Sequence, residues 1–242
     1  MINEKTYKFQ RIDRLHFLRE CLGNDDGSIS NLKILDYGGN HGNLLRDGIL
    51  EGVIDPKNYT CVDVDYHVLE EAREEFPEAE WIYYNRFNQC YNPTGEEKIP
   101  LPFEDNTFDI AYVYSVHTHC SYEDFVFDLK ELRRVAKKVF TSFCDPELLR
   151  FVAMKRKFDY NEVHEDWEWS NIKQVSSYKY YVDEDFTTTN PEEIKNNCTH
   201  LVTLYNVDWL KENHPEITKI IPTMAMVNDI HGVTQPFIII DG

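Results

Sequence analysis

The stretch at residues 36–42, Asp-Tyr-Gly-Gly-Asn-His-Gly, has the residue types and the spacing of a ligand-binding turn. An apolar, strand-like run precedes it and leucines at helical spacing follow it, which predicts a buried strand, a tight turn and a helix. Glycine has no Cβ, so the backbone can turn sharply and come close to a ligand. We expect the Asp36 carboxylate, at the end of the strand, to point at whatever binds the turn. A dinucleotide fingerprint requires G-x-G-x-x-G, and because Asn40 and Asn43 occupy its later glycine positions, a nicotinamide or flavin enzyme is disfavoured.

Two further sets of polar residues follow predicted strands. Asp63 lies near the end of a strand predicted at 59–64, with Asp65 better placed to cap the next helix. His117 and His119 follow a strand predicted at 108–116, at the edge where ligands bind in open α/β sheets. A histidine can remove a proton at neutral pH, or it can simply form a structural hydrogen bond in a loop. The two histidines could also hold a metal ion, but no third ligand has a suitable spacing, so we expect no metal site.

Four motifs, in the correct order, resemble those of the class I S-adenosylmethionine-dependent methyltransferases. The first motif of that family is acid-x-Gly-x-Gly-x-Gly, and here Asn40 replaces the middle glycine. Asn is among the residues that best tolerate left-handed backbone angles, so we expect the turn to form. The others are the acid at 63, the Leu-Pro-Phe-x-x-x-x-Phe-Asp pattern of residues 101–109, and Glu-x-x-Arg-Val at 131–135. The family's usual Pro-Gly-Gly turn is missing after the last motif, which predicts a tight connection to the following strand.

The resemblance covers roughly residues 30–143 and implies a fold, a cofactor and its binding residues. The implied fold is α/β, a Rossmann-like, doubly wound, mostly parallel seven-stranded sheet with an antiparallel C-terminal hairpin. The implied cofactor is S-adenosyl-L-methionine, with S-adenosyl-L-homocysteine as product, and Asp63 would bind the ribose hydroxyls through charge-assisted hydrogen bonds. The cofactor-binding residues implied are Asp36, Gly38, Gly39, Asn40, Gly42, Asp63, Val64, Asn85 and Ser115.

Two stretches are similar to a subset of the family that often acts on sugars or other hydroxylated small molecules. They are Tyr-Asn-Pro-Thr-Gly at 91–95 and Ser-Val-His-Thr-His at 115–119. The resemblance therefore implies methyl transfer to a small hydroxylated or glycosidic acceptor, with O-methylation expected. His119 is the first candidate for the base and His117 the second, although some family members use no base. Candidate acceptor-binding residues are Tyr91, Tyr114, Tyr122, His164 and Trp167.

Other functions remain open from the sequence. The fold could serve as a cofactor-binding regulatory or assembly module, or catalyse a reaction other than methyl transfer. A protein or peptide methyltransferase is a weaker alternative, because an acidic surface suits a basic target. The acidic and aromatic residues at 162–168 could bind a substrate, but such charge runs are more often solvated loops.

Composition limits the partners and the compartment. The chain has 242 residues with 43 acidic and 25 basic side chains, a formal net charge of −18, which disfavours nucleic acid and anionic membranes as partners. Its six cysteines include no C-x-x-C pair, as expected for reduced thiols in a cytoplasmic protein. No apolar run approaches the roughly 18 residues needed to span a membrane. The sequence leaves the oligomeric state open.

We predict a single domain over residues 1–242, with a core at about 30–150 and 200–242. Apolar spacing at 7–22 predicts an entry helix, and 217–227 with 236–240 predicts the terminal hairpin. We expect the strand at 201–205 to complete the main sheet. The polar, aromatic-rich stretch at about 155–200 is too long for an unstructured loop and is predicted to be a lid or cap.

Overall fold

The computed structural model describes residues 15, 18, 29–88, 91–145, 172–176, 201–221 and 236–241. In chain order its strands are β1 Ile34–Tyr37, β2 Tyr59–Asp63, β3 Glu80–Tyr83, β4 Phe108–Val113, β5 Ala136–Ser142, β6 Ile172–Ser176, β7 Leu201–Tyr205, β8 Ile217–Ile221 and β9 Phe237–Asp241. Its α-helices are α1 Asn43–Leu50, α2 Tyr66–Glu75, α3 Tyr122–Val135 and α4 Val207–Asn213. No helix in these ranges is both long and apolar enough to cross a membrane.

A seven-stranded sheet forms the centre of the molecule, in the order β3-β2-β1-β4-β5-β9-β8. The first five strands are parallel to one another. β9 runs antiparallel between β5 and β8, so the last two strands form the predicted hairpin at one edge. The predicted mostly parallel, Rossmann-like sheet is thereby confirmed.

The central strands are apolar because both faces of the sheet are covered. All residues of β1 and β2 are buried, as in parallel strands enclosed between two helical layers. Since successive side chains point to opposite faces, Ile34 belongs to one apolar cluster and Leu35 to the other. Leu15 and Leu18 are helical and buried against the first of these clusters, in agreement with the predicted entry helix.

The helix ends follow the capping residues of the sequence. The Asp65 side chain accepts a hydrogen bond from the His67 amide (3.0 Å) at the start of α2, as predicted. Ser121 caps α3 by accepting from the Asp124 amide (3.1 Å). β5 begins at Ala136, directly after the last residue of α3, so the predicted tight connection is confirmed.

Two strand predictions were wrong. The fourth strand ends at Val113, three residues early, because Ser115 adopts a φ of 62° and the chain leaves the sheet. β7 pairs with β6 in a separate two-stranded sheet and does not join the main one. The backbone amides of Thr203 and Tyr205 donate to the carbonyls of Thr118 (3.0 Å) and Cys144 (2.9 Å), which follow β4 and β5. The small sheet therefore borders the carboxyl ends of the main strands.

Candidate active site

The glycine-rich turn joins β1 to α1 through three residues with positive φ. These are Gly38 (73°), Asn40 (54°) and Gly42 (70°). The turn forms with asparagine at its centre, as predicted, since Asn is one of the few residues that adopt this conformation at modest cost. The Gly38 amide donates to the Val62 carbonyl (2.8 Å) and so ties the turn to the end of β2.

Close packing behind the turn explains why Gly39 and Gly42 leave no room for a side chain. A Cβ on Gly42 would lie 2.4 Å from the Trp81 ring, and one on Gly39 would lie 2.7 Å from the Asp36 carboxyl carbon. Asp36 is buried and accepts a short hydrogen bond from the Tyr59 hydroxyl. These contacts place Asp36 underneath the turn as a support.

Asp63 ends β2 beside the turn, with its carboxylate already oriented. Its Oδ2 accepts from the Asn40 amide and its Oδ1 from the Asp65 amide, both at 2.9 Å. Burial raises the pKa of Asp63, and the backbone hydrogen bonds from Asp65 and Asn40 oppose that rise. An ionised carboxylate has about four lone-pair positions, so Asp63 keeps acceptor capacity for a ligand.

A cavity of about 440 Å³ lies at the carboxyl ends of the parallel strands. This is within the usual size range of small-molecule sites. It brings together the predicted residues Gly38, Asn40, Asp63, Val64, Tyr91, Tyr114, Ser115 and His119. Residues from the turn, from the end of β2 and from the segment after β4 therefore face one space.

Several predicted site residues do not line this cavity. Asp36 lies underneath the turn, and Gly39 and Gly42, within the turn, pack against Asp36 and Trp81. Asn85 instead accepts hydrogen bonds from the Tyr83 hydroxyl (3.1 Å) and the Asn92 amide (3.3 Å). Tyr122 packs against Trp209, and its hydroxyl pairs with Nε2 of His214 (3.0 Å). His164 and Trp167 lie outside the described residues.

His117 is fully buried beneath the cavity, away from its surface. Its Nδ1 lies 2.6 Å from the Thr141 hydroxyl, and its Nε2 lies 3.5 Å from Oδ2 of Asp128. Burial, together with the positive charge of Arg86, lowers the pKa of His117 to about 3, so the ring is neutral at physiological pH. A neutral histidine without access to the cavity supports its neighbours and does not exchange protons with a ligand.

Sequence reasoning missed three charged residues that line the cavity: Arg86, Asp124 and Asp128. Arg86 forms salt bridges with Asp124 (2.8 Å) and with Asp128, and its Nη1 also donates to the Tyr37 hydroxyl (2.9 Å). The sequence carried only a weak signal for this cluster. Asp124 and Asp128 are four residues apart and thus share one helix face, but nothing local indicated that Arg86 reaches them.

The described residues contain no group of three or more His, Cys, Asp or Glu side chains that could hold a metal ion. The cysteines within the described ranges, Cys61, Cys120 and Cys144, are free thiols. Cys120 lines the cavity, and burial raises its pKa to about 12, so it remains protonated.

Comparison with known proteins identifies the class of this domain. Residues 35–139 match the family model of a methyltransferase domain, and this range includes the turn, Asp63 and His119. That segment, which is less than half of the chain, is similar to a methyltransferase domain. On this likeness the chain is an enzyme, and the cavity at the carboxyl edge of the sheet is its candidate active site. No curated protein matches the chain in sequence.

Solved structures share the methyltransferase fold at low sequence identity. A Pyrococcus horikoshii protein is 17% identical, with a TM-score of 0.56, covering 99% of this chain and 93% of its own. A SAM-dependent methyltransferase from Methanosarcina mazei is 16% identical, with a TM-score of 0.54 and coverages of 88% and 92%. The 1,6-didemethyltoxoflavin-N1-methyltransferase of Burkholderia thailandensis is 11% identical, with a TM-score of 0.54 and coverages of 96% and 77%. The last two structures are of methyltransferases, and at these identities the likeness concerns the fold.

Proposed function

We propose that this methyltransferase takes its methyl group from S-adenosylmethionine and transfers it to a hydroxyl of a small hydroxylated or glycosidic acceptor. One observation carries the proposal. A single cavity brings the glycine turn and the carboxylate of Asp63 together with His119, a group able to remove a proton. The likeness to structures such as the Burkholderia enzyme, which contains S-adenosylhomocysteine, supports the choice of cofactor.

The residues of the cavity fit an adenosyl cofactor. Gly38 and Asn40 of the turn line the cavity, and the turn packs closely against the segment after β4, since a Cβ on Gly38 would lie 2.4 Å from the Val116 side chain. Asp63, held by two backbone amides, has acceptor positions left for the two ribose hydroxyls. Bound there, S-adenosylmethionine supplies an electrophilic methyl group on a sulfonium. The chain itself need only bind the cofactor, orient the acceptor and take its proton.

We assign the base to His119. It lies in the cavity lining and is half-buried, so its ring can reach a ligand. His117 is assigned a positioning role, because it is buried and neutral. Tyr91 and Tyr114 line the same cavity and are proposed to contact the acceptor.

Isothermal titration calorimetry with S-adenosylhomocysteine tests the cofactor assignment. We expect one site per chain, and absence of binding at millimolar ligand would remove the proposal. The assignment of the base is tested by His119→Ala, which should reduce transfer at least a hundredfold while S-adenosylhomocysteine still binds, as expected for loss of a general base. His67→Ala, which replaces an exposed histidine on α2, is the control and should change neither quantity. Cofactor binding without consumption of any acceptor would favour a regulatory module.

A further inference from the structure

Arg86 is held by a closed set of contacts at the wall of the cavity. Its side chain is only 8% exposed and donates through Nη2 to Asp124 and through Nη1 to Asp128 and Tyr37. The Phe127 ring lies 5.2 Å from the guanidinium carbon. The guanidinium therefore clamps two carboxylates that belong to successive turns of α3.

The loop that follows β3 fixes the backbone of Arg86. The Asn92 side-chain amide donates to the Arg86 carbonyl (3.1 Å), and the Phe87 amide donates to the Glu96 carbonyl (2.8 Å). A Cβ on Gly95 would lie 2.4 Å from the carbonyl carbon of Arg86. The Tyr-Asn-Pro-Thr-Gly loop thus packs directly against Arg86 and fixes the backbone position from which its side chain extends.

The charges of this cluster do not cancel. One guanidinium faces two carboxylates, and Asp63 and Asp65 add two more carboxylates to the lining, which includes no lysine among the described residues. Burial opposes ionisation of Asp124, but the hydrogen bond from Ser121 and the charge of Arg86 hold its pKa below the usual value. The lining is therefore net negative at neutral pH.

Accessibility decides which member of the cluster meets a ligand. The Asp124 side chain is 35% exposed, whereas those of Arg86 and Asp128 are 8% and 4% exposed. A ligand group entering here reaches a carboxylate before it reaches the guanidinium. A hydroxyl or an ammonium can donate to that carboxylate, while a carboxylate or a phosphate would be repelled.

We propose that Asp124 and Asp128, clamped by Arg86, form the acceptor subsite, which binds a hydroxyl or ammonium group and rejects anionic acceptors. The proposal rests on the proposed function, since an acceptor must approach the sulfonium of a bound cofactor. For the same reason the negative subsite would lie near the sulfonium charge of a bound cofactor. It should therefore favour ligands that carry a positive charge there.

Calorimetry tests the negative subsite without knowledge of the acceptor. It uses two cofactor analogues that differ in charge at the position of the sulfonium. Sinefungin carries an ammonium in place of the sulfonium, whereas S-adenosylhomocysteine is uncharged at that position. We expect sinefungin to bind the wild-type protein at least fivefold more tightly. Asp124→Asn should lower the ratio of the sinefungin affinity to the S-adenosylhomocysteine affinity at least threefold. The affinity for S-adenosylhomocysteine itself should change less than twofold.

Glu123→Gln is the matched control. It removes the same charge from the adjacent position of α3, but the Glu123 side chain is 82% exposed and lies outside the cavity lining. The ratio of sinefungin affinity to S-adenosylhomocysteine affinity in this variant should equal that of the wild type. An equal ratio in wild type and Asp124→Asn would overturn the subsite, whereas failure of S-adenosylhomocysteine to bind at all would overturn the proposed function itself.

A turnover assay provides a second arm, with release of S-adenosylhomocysteine as the readout. The acceptors are matched sugars, glucose, glucosamine and glucuronate, and matched phenols, 4-hydroxybenzyl alcohol, tyramine and 4-hydroxybenzoate. In any series that is methylated, the neutral or amino member should exceed the carboxylate at least tenfold in kcat/KM. A carboxylate that reacts as well as its neutral counterpart would overturn the proposal, and if neither series reacts the calorimetric ratio decides.

Discussion

Asn40 and Ser115 adopt left-handed backbone angles where the chain borders the cavity, with φ of 54° and 62°. Residues that carry a Cβ disfavour this region, and such strain persists only where the surrounding structure imposes it. Asn40 is supported because its amide donates to Asp63 and its side chain accepts from the His41 amide (2.8 Å). The Ser115 amide donates to the Ser142 hydroxyl (2.7 Å). The strain is thus stored in the two segments that shape the candidate active site.

Substitutions at Asn40 should measure how much its left-handed backbone angle costs in stability. Asn40→Gly relieves the positive φ but loosens the unfolded chain, so the free energy of unfolding should change by less than about 1 kcal/mol. Asn40→Val places a β-branched residue at φ 54° and should cost about 2 kcal/mol. Urea denaturation measures both changes. Equal stability of the two variants would show that the turn does not depend on the left-handed angle.

The buried His117 should make the protein sensitive to acid. Its pKa is lowered to about 3 in the folded state by burial, from 6.5 when free. The unfolded chain therefore takes up a proton below pH 6.5 that the folded protein refuses, so stability is complete above that pH and is lost as pH falls towards 3. Between pH 7.5 and pH 5 this histidine should account for a loss of roughly 2 kcal/mol.

His117→Gln removes the titrating group and serves as the test. Urea denaturation at pH 7.5 and pH 5 should show a difference in unfolding free energy that is smaller in the variant by roughly 2 kcal/mol. The comparison uses the change with pH, so a general loss of stability in the variant does not affect it. An unchanged pH dependence would mean that His117 titrates normally in the folded protein.

At the scale of elements, two motifs that are far apart in the sequence bind each other. The Arg134 side chain at the end of α3 donates to the carbonyls of Phe103 (2.7 Å) and Leu101 (3.0 Å). The Glu131 carboxylate accepts from the Leu101 amide (3.0 Å). The Glu-x-x-Arg pair thus holds the Leu-Pro-Phe loop that leads into β4. Charged side chains here supply hydrogen bonds to backbone groups of the loop, in addition to the bond from the Phe103 amide to the Leu101 carbonyl (2.8 Å).

Arg134→Ala should therefore destabilise the protein by about 2 kcal/mol, because two backbone carbonyls lose a charged donor. Arg133→Ala is the matched control. It removes the same charge one residue earlier, where the side chain is exposed, and should change the unfolding free energy by less than about 0.5 kcal/mol. Denaturant unfolding measures both. Equal losses would assign the effect to net charge and not to the loop.

The elements were predictable wherever one local pattern determined them. The apolar runs of β1 and β2, the caps at Asp65 and Ser121 and the glycine turn are all local signals. The sheet of β7 was not predictable, because its partner β6 lies in a polar, aromatic-rich stretch without clear periodicity. Arg86 was missed because its role depends on carboxylates about 40 residues away, and such contacts leave no periodic signal. The cavity edge was predictable, but the charges around Arg86 were not.

At the scale of the whole molecule, the 43 acidic and 25 basic residues leave a large uncompensated negative charge. Described surface ion pairs such as Arg46–Glu75 and Lys137–Asp109 offset part of the repulsion, and each is worth roughly 0–1 kcal/mol. Salt weakens these pairs and the repulsion together. Because the formal net charge is −18, repulsion among the excess carboxylates should outweigh the attraction within such pairs.

We therefore expect the protein to become more stable as salt is added. Raising NaCl from about 10 mM to about 200 mM shortens the screening distance from about 30 Å to below about 10 Å, which suppresses repulsion across the surface. The melting temperature should rise by about 2–4 °C, equivalent to roughly 1 kcal/mol for a chain of this length. Differential scanning calorimetry measures the shift, and KCl should reproduce it because screening depends on ionic strength and not on the cation. A fall in melting temperature would show instead that attractive ion pairs outweigh the repulsion of the excess acidic side chains.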